Sequence, residues 1–92
     1  MDTQQELLTV FTKITDSLEM EDFFREIFTP KELENLVLRW QLLKDLYEGQ
    51  SQRSIAAKHR ISLCKITRGS KILKKENSIT KKILDTSYEG KE

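Results

Sequence analysis

The run SQRSIAAKHRISLCKITRGS, Ser51 to Ser70, decides the fold. Ser51 can cap a short helix running through Ala57, and Ser62 can cap a second from Leu63 to about Leu73. Only Lys58, His59, Arg60 and Ile61 separate them, and two short helices on a tight turn are the sequence pattern of a helix-turn-helix. Because the helices of that motif cross steeply, the wedge between them needs one small residue and several apolar ones. Ala56 supplies the small contact, Ile55 and Ile66 face inward, and Ile61 follows the turn. Such a turn visits φ > 0, where glycine is usual; here the place falls to Arg60, at a cost on the order of 1 kcal/mol. His59 is expected to close the turn by packing.

Charge supports a polyanionic partner. The net charge of +1 hides an asymmetry: residues 1–50 hold five basic and eleven acidic side chains, residues 51–92 eleven basic and four acidic. No acidic residue occurs between Glu48 and Glu76. Neutralising phosphates releases condensed counterions, so a basic stretch with no opposing acid suits duplex DNA. A solvated basic face is the other reading of charge alone. If the second helix reads DNA, the residues near its start, Ser62, Leu63, Cys64, Lys65 and Thr67, reach base edges. Arg53 reaches the groove edge from the first helix, while Ser70, Lys71 and Lys74 meet phosphates.

Upstream, apolar residues at helical spacing predict an amphipathic helix from about Thr3 to Leu18 and a shorter, phenylalanine-rich one from Met20 to Phe28. Thr29-Pro30-Lys31-Glu32 is a capping box with proline at the first helical position. The helix it opens carries Leu33, Leu36, Val37, Trp40, Leu43 and Tyr47 on one face, with Leu42 and Leu46 beside it, and stops near Gly49. Arg39 sits mid-helix, too far from either end to complement the dipole. Downstream, Asn77 or Ser78 caps a last helix with Ile79, Ile83 and Leu84, and Tyr88 to Glu92 is expected to fray.

The chain has 92 residues, one cysteine and one histidine, which leaves no disulfide, no metal site and no catalytic constellation to read. The expectation is one domain over residues 1–92, with no enzyme activity, no membrane span and a cytoplasmic location. Within it, residues 3–49 would form the N-terminal helices, 51–74 the helix-turn-helix and 78–88 the terminal helix.

Thr29-Pro30-Lys31-Glu32, Arg39, Gly49, Ser51-Gln52-Arg53 and Ile66-Thr67-Arg68-Gly69-Ser70 together resemble the bacterial tryptophan repressor family over roughly Phe28 to Lys74. The resemblance implies an all-α, six-helix fold and an intertwined homodimer that represses transcription on double-stranded operator DNA, with L-tryptophan as corepressor. It also implies that Arg39 and Arg68 enclose the indole, that Arg68 pairs with the carboxylate, and that Thr29 adds a hydroxyl. Backbone carbonyls near Glu26 and Phe28 would meet the ammonium, and Gly69 would let the ring sit close. Ile72 stands where some members carry a serine, and the Gly49–Ser51 link is one residue short of the family pattern. Two other readings fit the residues: a repressor-like regulator that ignores tryptophan, and a helical module binding an acidic protein or RNA.

Overall fold

The computed structural model describes residues 2–89, with side chains as far as Ser87. Six helices follow in order: α1 (Thr3–Lys13), α2 (Ser17–Ile27), α3 (Pro30–Tyr47), α4 (Gln52–His59), α5 (Leu63–Lys74) and α6 (Ile79–Glu89). Two compact units can be distinguished, one up to Leu36 and one from Val37 onward.

In the N-terminal unit both expected helices form, but the first stops at Lys13 instead of Leu18 and the second starts at Ser17 instead of Met20. Asp2 opens α1 with a capping box, its carboxylate accepting the Gln5 N–H at 2.8 Å. The chain turns extended at Ile14, and Asp16 opens α2 by accepting the Glu19 N–H at 3.0 Å. A second cap inside the apolar repeat therefore overrides the continuity that Leu18 suggests. Phe11 meets Phe23 and Phe24 edge-to-face with centroids 5.5 and 5.7 Å apart, and Phe24 meets Phe28 at 5.3 Å. Each such pair adds about 0.5–1.5 kcal/mol beyond area burial. Yet no described residue up to Leu36 is buried, and Leu7, Leu8, Val10, Leu18 and Ile27 stay exposed.

The capping box of α3 forms as its sequence predicts: the Thr29 N–H donates to Glu32 Oε1 at 2.9 Å, and Thr29 Oγ1 accepts the Glu32 N–H at 3.1 Å. Gly49, at φ 90°, ends the helix and donates its N–H to the Leu46 carbonyl. The buried side of α3 agrees with expectation at Leu42, Leu43 and Leu46 but departs from it at Val37 and Trp40. Val37 and Trp40 remain 62% and 39% exposed, whereas Leu42 and Leu43 are buried and Leu38 and Leu46 pack beside the core. Both sides of α3 are apolar, and the side that meets α4 and α5 is the one carrying Leu38, Leu42, Leu43 and Leu46; Val37 and Trp40 lie about half a turn away from Leu42.

Ile55 and Ile66 are fully buried, with Ala56 and Ile61 against them, so the wedge between α4 and α5 is filled by the four residues its sequence nominates. Ser51 caps α4 by accepting the Ser54 N–H at 3.1 Å, and the helix runs to His59, two residues past its expected end. Arg60 then adopts the left-handed conformation, φ 55° and ψ 48°. At the other end of the unit Ser78 caps α6, accepting the Lys81 N–H at 3.2 Å, with Asn77 left-handed before it. Leu84 is fully buried, and the Tyr47 hydroxyl donates to Asp85 at 2.5 Å, joining α6 to α3. Tyr88 and Glu89 continue α6; the rest of the tail expected to fray, residues 90–92, falls outside the described residues.

A buried acid holds α4 against α3. Asp45 is 2% exposed; His59 Nε2 lies 3.0 Å from its Oδ2, Gln41 Nε2 donates to its Oδ1 at 2.9 Å, and Lys58 Nζ lies 3.8 Å from Oδ2. Since a carboxylate only accepts, the His59 Nε2 is the protonated ring nitrogen. His59 thus closes the turn by hydrogen bonding as well as packing. Burial pushes the Asp45 carboxyl up, but the His59 and Gln41 hydrogen bonds and the Lys58 charge outweigh it and hold the group below its usual 3.8.

Three predictions come from this packing. Arg60→Gly relieves the left-handed strain and raises the unfolding free energy by about 1 kcal/mol in urea titration. A depressed folded pKa stabilises the protein above the unfolded value and ceases to do so as pH falls through the folded one. Asp45→Asn therefore flattens the loss of stability below about pH 4, and His59→Ala, by stranding a buried acceptor, lowers neutral-pH stability by about 1–3 kcal/mol.

Candidate ligand pocket and nucleic-acid interface

A groove between α3 and α5 forms a small, open pocket of about 130 Å³. Helical spacing explains its lining. Arg39, Leu42 and Leu43 occupy one stripe of α3 at i, i+3 and i+4, and Lys65, Arg68, Gly69 and Ile72 one stripe of α5 at i, i+3, i+4 and i+7. The floor is leucine and isoleucine, the walls arginine and lysine. Arg39 and Arg68, 29 residues apart in the chain, are thus brought to one pocket.

Gly69 lines this pocket and is itself buried. A Cβ there would lie 3.1 Å from Leu46 Cδ1 and 3.6 Å from Leu43 Cδ2, so the missing side chain lets α5 close on α3. Ile72 adds an apolar wall with no hydrogen-bonding group. Glu26, Phe28 and Thr29 belong to the N-terminal unit. Glu26 is exposed on α2, Phe28 ends that helix with its N–H bonded to the Phe24 carbonyl, and the Thr29 hydroxyl oxygen already caps α3.

The opposite side of α5 carries Leu63, Thr67, Lys71 and Lys74, all exposed, with Ser70 half-buried beside them. Cys64 is an exposed free thiol, and Arg53 is exposed on α4. Ser62 occupies the cap of α5 without a capping hydrogen bond, leaving its hydroxyl available. Thr67 Oγ1 donates to Gln52 Oε1 at 3.0 Å, so Gln52, to which the sequence assigned no role of its own, is oriented by α5 with both its amide protons free of that bond. Lys65, grouped by sequence with the base readers, falls on the pocket stripe; the three-residue step to Arg68 is the signal that could have placed it there.

Among the described residues no group of three His, Cys, Asp or Glu side chains could hold a metal ion, and no helix is long and apolar enough to cross a membrane.

Residues 2–87 match the family model described as Trp repressor protein. A Trp operon repressor homolog of Chlamydia trachomatis serovar D is 34% identical over 71 residues, 76% of each chain. One from Vibrio campbellii is 31% identical over 86 residues, 92% of this chain and 86% of the relative, and one from Vibrio parahaemolyticus is 32% identical over 78 residues, 84% of this chain and 76% of the relative. No solved structure gives a significant match. The class is therefore a small all-α transcriptional regulator, from a family that is not one of enzymes. The chain belongs to the Trp repressor family.

Proposed function

We propose that the chain is a dimeric, cytoplasmic transcriptional repressor that binds operator DNA of tryptophan biosynthesis or transport genes when L-tryptophan fills the α3–α5 pocket. The observation that carries this reading is the pocket's composition: two guanidinium groups, Arg39 and Arg68, beside a floor of Leu42, Leu43 and Ile72. Flat cations stack on an electron-rich indole, and the planar fork of Arg68 suits a carboxylate.

In this reading residues 51–74 are a helix-turn-helix. α5 enters the major groove with Leu63, Cys64 and Thr67 toward the bases, while Arg53, Ser70, Lys71 and Lys74 meet the backbone. Residues 3–49 supply the dimer contacts; an N-terminal unit with no buried residue among those described and five exposed large aliphatic side chains supports this. Half-sites lie one helical turn apart, about 34 Å, which tolerates little error in the spacing of two reading helices. A ligand wedged between α3 and α5 favours one tilt of α5 and so changes DNA affinity by its differential affinity for the two arrangements. Ile72 supports a second reading, a regulator with this architecture that answers a different amino acid; calorimetry with a panel of amino acids separates the two.

In a mobility-shift assay with the gene's own upstream region, L-tryptophan is expected to raise affinity and Arg68→Ala to lose most of that response. Equal binding with and without the amino acid contradicts the corepressor role. Lys74→Ala is expected to weaken binding to every sequence and to lower the salt slope by ~1, as one lost phosphate contact requires.

A further inference from the structure

Lys65 has a place in the pocket that the stacking and pairing roles of Arg39 and Arg68 leave unexplained. It precedes Arg68 by one helical turn on the stripe that ends in Ile72, away from the exposed side of Leu63, Thr67 and Lys74. Among the described residues, neither Lys65, Arg39 nor Arg68 has a carboxylate within ion-pairing distance, and no acidic residue occurs from Gly49 to Lys75. Three cations without an internal counterion thus surround an apolar floor. That combination is complementary to a flat apolar body bearing a negative charge.

We infer that Lys65 is a second carboxylate-binding cation of this pocket, working beside Arg68, and that it makes the site selective for aromatic carboxylic acids over their decarboxylated counterparts. The inference rests on reading the pocket as a ligand site, and it holds whichever aromatic acid fills that site. A carboxylate offers two oxygens and about four lone-pair directions, so a planar guanidinium and a mobile ammonium can both engage it. Lys65 is exposed, so solvent screens its pull, and its loss is expected to weaken an acid roughly three- to tenfold, not to abolish binding.

The test is calorimetry on the whole chain without DNA. The probes are L-tryptophan, its deamino analogue indole-3-propionate and its decarboxylated analogue tryptamine. Lys65→Met keeps the apolar stem and removes the charge; Lys65→Arg keeps the charge, and circular dichroism checks that both variants are folded. The expected result is that Lys65→Met weakens both acids three- to tenfold and leaves tryptamine unchanged, while Lys65→Arg restores the acids. If Lys65→Met binds both acids as tightly as the natural chain, or weakens tryptamine equally, the inference is overturned and the tryptophan reading stands. If the natural chain binds indole-3-propionate in a Lys65-dependent way but not L-tryptophan, the corepressor assignment falls and the inference stands. Failure of the natural chain to bind either acid overturns both.

Discussion

The close approach of α5 to α3 at Gly69 is the constraint on which the rest of the C-terminal unit depends. A methyl group in that position would press on Leu46 from 3.1 Å and meet Leu43 at 3.6 Å. With only hydrogen there, α5 packs close on Leu46 and Leu43, and Lys65, Arg68, Gly69 and Ile72 line an open groove together with Arg39 and Leu42. Ile55 and Ile66, both without solvent exposure, fix the other flank. The pocket is what remains between that tight contact and three long basic side chains. Close-packed interiors transmit such spacing because they cannot absorb a displaced methyl without moving something else.

α5 therefore serves three surroundings from three sides. Ile66 points into the core, the Lys65–Ile72 stripe lines the pocket, and Leu63, Thr67 and Lys74 stand free on the remaining side. A molecule seated in the groove touches the same rigid helix that presents those free residues. The Asp45–His59 contact bears on the same geometry from the far end of α4, because it anchors the last turn before Arg60 to α3. Under the proposed function, occupancy of the groove and DNA contact would be linked through this one helix.

Much of this was legible in the sequence where the signal is local. The Thr29–Glu32 capping box, the left-handed residue at Arg60 and the inward quartet of Ile55, Ala56, Ile61 and Ile66 each follow from stereochemistry within a few residues. The break after Lys13 was hidden because Leu18 keeps the apolar period running while Asp16, an ordinary surface acid by composition, stops and restarts the helix. The orientation of α3 was hidden because both of its sides are apolar, and which one is covered depends on α4 and α5. Asp45 gave no sign of burial, since its partners Lys58 and His59 arrive from another helix. The pairing of Arg39 with Arg68 came through resemblance, whereas Lys65 was within reach of helical phase alone.

The account stands most directly on where an aromatic amino acid sits. A crystal structure of the chain grown with saturating L-tryptophan is predicted to show the indole on Leu42, Leu43 and Ile72, flanked by the guanidinium groups of Arg39 and Arg68, with the carboxylate toward Arg68. Tryptophan bound elsewhere on the chain, or an α3–α5 groove left empty at saturation, contradicts it.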